Sequence, residues 1–244
     1  MPMSYIFREH IKQSLAVIAF LITLTACTSE SYDAGDGPNS YLTADLVLLH
    51  TSQDKSVRSA LLDDGTTLQF SNPFAQDWLT RPDSVYRALL YYDKTVAASD
   101  AAASNPTATS IVRARSVRPV SVLRPVEAED METLRTDPVG FESLWMSKNK
   151  SYINLSLLLK SGKTEADDAL HALGIVSHGT TTDADRRRTL HLTLYHDQGG
   201  VPAYYTVQQY VSIPTQLLEE ADTIELTLNT YNGKKVMKVA VSNL

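Results

Sequence analysis

The sequence is nearly devoid of cysteine: its 244 residues contain one, Cys27. A single thiol excludes disulfides within the chain and a cysteine-rich zinc site. The sequence also lacks three common enzyme motifs, namely the phosphate-cradling glycine loop, the Gly-x-Gly-x-x-Gly dinucleotide fingerprint and the Gly-x-Ser-x-Gly nucleophile elbow. Stability must therefore come from apolar burial, and no enzyme class is indicated by a motif.

Long apolar runs are also missing. The most hydrophobic stretch, Leu15 to Ala26, is only 12 residues long, whereas a membrane-spanning helix needs about 20. The basic residues Arg8 and Lys12 precede it, as in the charged flank of a secretory signal peptide. We therefore expect residues 1–26 to be a signal peptide that is removed, rather than a transmembrane helix.

The end of this run resembles the bacterial lipobox, in which a branched apolar residue and two small residues precede a cysteine. The matching residues are Leu24, Thr25, Ala26 and Cys27. The cysteine sulfur would carry diacylglyceryl, and two or three acyl chains such as palmitate give stable anchoring where one is marginal. Cys27 is thus the predicted lipidation site. Residues 27–40 are polar and aperiodic, as expected of a flexible tether.

Residues 41–126 have the pattern of an OB-fold-like barrel. Five β-rich segments are present, and Asp64-Gly65 predicts a two-residue hairpin in which both central residues take positive φ. Residues 73–79 allow a short helix or turn between the third and fourth strands, which is the OB element order. A low-complexity loop from Lys94 to Thr109 is expected between the last two strands.

Charge and loop composition argue against nucleic acid as a partner. Without Arg8, Lys12 and Glu9, the mature chain has 20 basic and 27 acidic residues, a net charge of −7. The loop from Lys94 to Thr109 has no aromatic residue for base stacking. Strand alternation would also divide the nearby arginines between two faces unless a bulge intervenes. These arginines are Arg113, Arg115, Arg118 and Arg124.

A second β domain is predicted after a linker at residues 127–137. In residues 138–244, apolar residues alternate with polar ones along three segments, so that one face of each strand is buried. The alternating apolar residues are Ile153, Leu155, Leu157, Leu159, Leu190, Leu192, Leu194, Ile224, Leu226 and Leu228. Such strands need a second sheet to cover them, which predicts a β-sandwich. The expected fold class is all-β, a barrel followed by a sandwich.

The histidines allow two interpretations. His191 and His196 differ by five positions and so should lie on opposite faces of one strand, without the spacing of a metal site. His196 and Asp197 precede Gly199-Gly200, which favours a turn held by side-chain hydrogen bonds. We expect no metal and no cofactor. The alternative, an envelope hydrolase or metal-dependent enzyme that uses His191, His196 and Asp197, stays open.

Several segments together resemble the NigD-like lipoproteins of Gram-negative anaerobes. They include "ALLDDGTTLQF", "SVYRALLYY", Trp145 followed by "YINLSLLL", and "YHD" at residues 195–197. The resemblance implies an N-terminal OB domain, a C-terminal β-sandwich and a lipid anchor in the cell envelope, with the outer membrane favoured over the inner. It also implies a bacteriocin-immunity or accessory role, and the absence of a catalytic constellation favours a non-catalytic binding module. An envelope protein or a saccharide would then be the partner.

The lipid anchor is directly testable. We expect the mature protein to begin at Cys27 and to partition with membranes, and Cys27→Ser to accumulate as an unlipidated precursor. Intact-mass measurement of both forms checks this. Detection of a water-soluble mature wild-type chain that begins at another residue would contradict the assignment.

Overall fold

The computed structural model describes residues 42–94, 110–163, 170–218 and 221–241. The predicted signal peptide, Cys27 and the tether at residues 27–40 lie outside the described residues, as does most of the predicted loop between Lys94 and Thr109. Within the described ranges, the regular elements are fourteen β-strands and two short 3-10 turns, Ala128–Asp130 and Thr215–Leu217.

The first five strands close into a barrel with the order β1-β2-β3-β5-β4. They are β1 (Leu42–Thr51), β2 (Val57–Leu62), β3 (Thr67–Phe74), β4 (Val85–Lys94) and β5 (Ser110–Pro119). Strand alternation sends Val47 and Leu49 of β1 into the interior, together with Ala88 and Leu90 of β4, and all four are fully buried. The predicted barrel is therefore confirmed.

No helix forms between β3 and β4, where the OB pattern allowed a helix or a turn. Residues 75–84 form turns instead, and Leu79 is 2% exposed in the barrel core. Trp78 packs edge-on against Tyr86 at 5.8 Å between ring centroids. The turn places the Leu79 side chain in the barrel core. It thus buries apolar surface at the position where an OB-fold often has a helix.

The predicted hairpin at Asp64-Gly65 exists, but its turn is different. The Leu62 N–H donates to the Thr66 carbonyl, and of the turn residues only Gly65 has positive φ, at 88°. The loop therefore has three residues and ends with glycine in the left-handed region. The extra residue lets Asp63 as well as Asp64 project from the turn.

The remaining nine strands form two facing sheets. They are β6 (Ser121–Val122), β7 (Pro125–Glu127), β8 (Gly140–Met146), β9 (Tyr152–Ser161), β10 (Ala172–Thr182), β11 (Arg188–Asp197), β12 (Tyr205–Pro214), β13 (Thr223–Thr230) and β14 (Gly233–Ala240). One sheet has the order β6-β12-β9-β8 and the other β14-β13-β11-β10-β7. All ten predicted alternating apolar residues lie in or against the core between them, which confirms the β-sandwich.

The boundary between the two parts is earlier than predicted. The predicted barrel segment 41–126 contains β6 and the start of β7, but β6 pairs in parallel with β12 and β7 pairs in parallel with β10. The barrel ladder ends at Pro119. Pairings this short and this distant in sequence leave no periodic pattern, which is why the alternation did not reveal them. Whether the two parts fold independently stays a prediction.

The arginines of β5 share one face. Tyr91 pairs with Ser116 and Tyr92 pairs with Ala114, so a bulge skips Arg115. The extra residue changes the alternation, and Arg113, Arg115 and Arg118 are all exposed. The bulge that the expectation allowed is thus present, and these three residues do not divide between two faces.

A buried charged network joins the barrel to the sandwich. The side chain of Arg87 on β4 is 1% exposed and forms a bidentate pair with Asp63, with 2.7 Å from Nη2 to Oδ2. Its Nη2 also donates to Asn154 on β9 at 3.0 Å, and its Nε donates to Ser212 on β12 at 3.1 Å. The guanidinium carbon lies 4.3 Å from the ring centroid of Tyr152. The buried cation therefore has partners from both halves of the structure.

We expect Arg87→Ala to lower the free energy of unfolding by about 3–5 kcal/mol, because the Asp63 side chain would be left at the interface without its ion-pair partner. Arg115→Ala is a matched control, since Arg115 pairs with Asp93 on the barrel surface and should contribute about 0–1 kcal/mol. Urea unfolding of both variants checks the difference. Equal decreases in the free energy of unfolding of the two variants would contradict a larger stabilisation by the buried network.

Candidate functional site

A cleft of about 390 Å³ opens between the barrel and the sandwich, within the size range of small-ligand pockets. The barrel contributes β1, β4 and the β2–β3 turn, and the sandwich contributes β8, β9 and β12. The lining residues are Ala44, Asp45, Leu46, Leu62, Asp63, Asp64, Leu89, Tyr91, Glu142, Ser143, Trp145, Met146, Ser147, Lys148, Ser156 and Tyr210.

Three aromatic side chains line the cleft. Trp145 of β8 and Tyr210 of β12 meet edge to face, with 6.3 Å between ring centroids and an interplanar angle of 83°. Tyr91 comes from β4, and all three pack on a small apolar cluster that contains Leu46 and Leu89. The sandwich aromatics lie here because alternation turns them to the outer face of their sheet, away from the leucine core.

The cleft is acidic. Its lining includes four carboxylates and one ammonium group. Arg87 lies behind the lining and neutralises Asp63. With both cations counted, the net charge of the cleft is −2. The carboxylates are Asp45, Asp63, Asp64 and Glu142, and the ammonium belongs to Lys148.

Local hydrogen bonds hold two of these carboxylates in the ionised form. The Thr66 backbone N–H, 2.9 Å from Asp64 Oδ1, lowers the pKa of Asp64, and the charge of Lys148 lowers it further. The Ser156 hydroxyl donates to Glu142 at 2.6 Å, and the Gln208 amide also donates to it, so the pKa of Glu142 is lowered too. Both carboxylates are therefore charged at neutral pH.

His196 does not line the cleft and lies 1% exposed at the inner face of β11. Its Nδ1 is 2.9 Å from the Asp137 carbonyl oxygen, and its Nε2 is 2.9 Å from Nδ1 of His171. Because a carbonyl only accepts, Nδ1 of His196 carries the proton, and His171 donates to its Nε2. The two rings stack with 5.2 Å between their centroids. These contacts attach β11 to the segment before β8.

Asp197 binds the adjacent turn. Its Oδ1 accepts from the Gly199 backbone N–H at 2.9 Å, and its Oδ2 lies 3.3 Å from Nε of Arg135. Gly199 has φ of +60°, and a Cβ there would lie 2.3 Å from the Leu170 carbonyl oxygen, so only glycine fits. Both sequence-selected residues thus make structural contacts, while their function stays a prediction.

His191 lies on the opposite, outer face of the same strand. Its Nε2 is 2.8 Å from the Thr181 hydroxyl, and its Nδ1 is 3.2 Å from Glu225, which also pairs with Lys238. The structure therefore separates His191 from the pair His196 and Asp197. Within the described ranges, no group of three or more His, Cys, Asp or Glu side chains is placed to hold a metal ion.

Sequence reasoning did not identify the cleft. Its walls come from segments that are distant in sequence, and behind them Asn154 donates to Asp63, 91 positions earlier. No local sequence pattern predicts such contacts. The sequence of β9 contains one indication of the cleft, because Asn154 and Ser156 alternate with the core leucines. In the structure both of these polar residues are buried. Buried polar groups on a second face indicate that another part of the chain covers that face.

Comparisons with known proteins find a family model that is similar to the second half of the chain. Residues 122–241 match the model of the NigD-like C-terminal beta sandwich domain. This range begins inside β6, in agreement with the early boundary found in the structure. No curated protein sequence matches the chain significantly.

Several solved structures share the fold. A NigD-like immunity protein from Bacteroides caccae is 24% identical with a TM-score of 0.59, covering 82% of this chain and 92% of its own. A candidate lipoprotein from Bacteroides fragilis is 15% identical with a TM-score of 0.56, covering 82% and 97%. A candidate toxin-related protein from Parabacteroides distasonis is 18% identical with a TM-score of 0.53, covering 81% and 92%. At these identities the likeness establishes the fold.

The histidine pair predicts a dependence of stability on pH. Burial, and then the neighbouring His196, lower the pKa of His171 below its ordinary 6.5, against a smaller opposite effect of the Lys160 carbonyl. The unfolded chain therefore takes up a proton before the folded one, and stability should fall as the pH drops below 6.5.

Urea midpoints at about pH 7.5 and about pH 5.5 measure this loss. His171→Asn should reduce the pH dependence, because an asparagine amide can still donate to His196 without titrating. His178→Asn, at an exposed position, is the control and should behave like the wild type. Unchanged pH dependence in His171→Asn would contradict the assignment.

Proposed function

We propose that this chain, whose residues 122–241 match the NigD-like C-terminal beta sandwich domain model, is a lipid-anchored, non-catalytic binding protein of the bacterial cell envelope. The observation that carries the proposal is the open cleft of about 390 Å³, which combines three aromatic side chains with ionised carboxylates. A pocket that pairs apolar surface with a few fixed polar groups is the usual form of a ligand site.

The positions of the histidines favour binding over catalysis. His191 and His196 lie on opposite faces of β11, and neither lines the cleft. Nucleophilic or general acid–base catalysis needs its groups within hydrogen-bond reach of one reacting atom. The hydrolase or metal-enzyme alternative would require His191, His196 and Asp197 to act at one place, and the fold keeps His191 away from the other two.

The envelope location is supported by the sequence from Leu24 to Cys27, which fits a lipobox. The structural relative from Bacteroides fragilis is named as a candidate lipoprotein. No helix in the described part of the chain is long and apolar enough to cross a bilayer. We place the protein at the outer membrane, held by acyl chains such as palmitate on Cys27.

An immunity or accessory role fits the names of two relatives. One structural neighbour is described as a NigD-like immunity protein and another as toxin-related. A protein that protects an envelope would need a surface that captures another molecule, and the cleft supplies one. The partner would be an envelope protein, a peptide or a saccharide that reaches the anchored protein.

Site-specific photo-crosslinking tests the cleft as the binding site. A photoreactive phenylalanine analogue replaces Tyr210 in the cleft or, as a control, Tyr231, which is 44% exposed on the β13–β14 turn. After incubation of the lipidated protein with envelope extract, we expect crosslinked products from the Tyr210 position and not from Tyr231. The same products from both positions, or none from Tyr210, would refute the cleft as the binding site.

A further inference from the structure

We infer that the ligand of the cleft is a positively charged side chain, the guanidinium of an arginine for preference, presented on a peptide segment with apolar neighbours. The inference deepens the proposed binding function and rests on it. Three features of the cleft carry it: an uncompensated negative charge, the aromatic lining and the placement of both in one open cleft.

The first feature is Glu142. Its Oε2 accepts hydrogen bonds from Ser156 and Gln208, which are neutral donors that fix the carboxylate in place. In the described residues, no lysine or arginine lies within ion-pair distance of it. Charges that are held but not neutralised in a cleft attract a ligand of opposite sign.

The second feature is the aromatic lining. Trp145, Tyr210 and Tyr91 share the cleft with Glu142, and a cation near aromatic faces gains about 0.5–2 kcal/mol from their quadrupoles. A guanidinium group can stack on such rings and can form two parallel hydrogen bonds with a carboxylate at the same time. Arg87 already shows this combination in the same structure, since it binds Asp63 and lies over the Tyr152 ring.

The geometry disfavours a neutral saccharide. Trp145 and Tyr210 are nearly perpendicular, at 83°, so they do not form the flat platform on which a sugar ring would stack. The lining residues and Arg87 give the cleft a net charge of −2. A neutral sugar would leave this charge uncompensated. Apolar neighbours of the basic side chain would contact Leu46 and Leu89.

The chain's own tether does not match the cleft. Residues 28–40 contain Glu30, Asp33 and Asp36 and no lysine or arginine. The charge of this segment therefore has the same sign as that of the cleft lining. The complementary occupant is therefore a basic segment of another molecule.

Two short peptides make the test direct. N-acetyl-Leu-Arg-Leu-amide is compared with the same peptide in which citrulline, a neutral analogue of nearly the same shape, replaces arginine. Binding is followed by the fluorescence of Trp145 in a Trp78→Phe background, because these are the two tryptophans of the chain. We expect saturable binding of the arginine peptide, at least about tenfold weaker binding of the citrulline peptide, and weakening by salt.

Glu142→Gln should reduce the affinity for the arginine peptide by about tenfold, because one charge-assisted hydrogen bond is lost. Glu129→Gln removes an equal charge at an exposed residue that does not line the cleft, and it should bind like the wild type. Both substitutions are at exposed positions, so circular dichroism should show the same fold.

The outcomes separate this inference from the proposed function. Equal binding of the arginine and citrulline peptides, or an unchanged affinity in Glu142→Gln, would overturn the inference. So would binding of neutral chito-oligosaccharides at Trp145 without binding of the arginine peptide, although the cleft would then remain a ligand site. If no probe binds and crosslinking from the Tyr210 position also fails, the proposed function falls with the inference.

Discussion

The buried guanidinium of Arg87 is the constraint on which the arrangement of this protein depends. A charge with 1% exposure is tolerable only when its partners are fixed around it. Asp63 comes from the barrel, and Asn154 and Ser212 come from the sandwich. Separation of the two parts would leave the Arg87–Asp63 pair intact but without its hydrogen bonds to Asn154 and Ser212, so these bonds help to fix the barrel on the sheet β6-β12-β9-β8.

The same network shapes the cleft. The three-residue turn that holds Asp63 against Arg87 also projects Asp64 into the cleft wall. On the other side, β9 provides Asn154 for the network and, two residues later, Ser156 for Glu142. The charged groups of the cleft are thus held by elements that the fold already fixes. A ligand would meet an organised site, which lowers the entropic cost of binding.

Local sequence patterns predicted the barrel, the sandwich and the core leucines of β9, because alternation is a property of neighbouring residues. Local patterns do not predict the contacts between segments that are distant in sequence. The sequence predicts the hairpin at Asp64-Gly65 but not its third residue, and no local pattern marks Arg87 as a buried residue. Trp145 and Tyr210 were visible as aromatics, but only the tertiary structure places them beside Glu142. The histidine at 196, which looked most like a catalytic group, is a buried hydrogen-bonding residue.

Strand β6 has a consequence for the order in which the chain can fold. Ser121 of β6 pairs with Val211, which lies 90 positions later in the chain. Likewise, β7 can form its backbone hydrogen bonds only after β10 has been synthesised. As the polypeptide emerges from its N-terminus, the barrel strands can pair first, while the connecting arm keeps unsatisfied backbone groups. Completion of the second half is therefore required before β6 has its hydrogen-bonding partner, and a chain that stops before β12 would leave β6 unpaired.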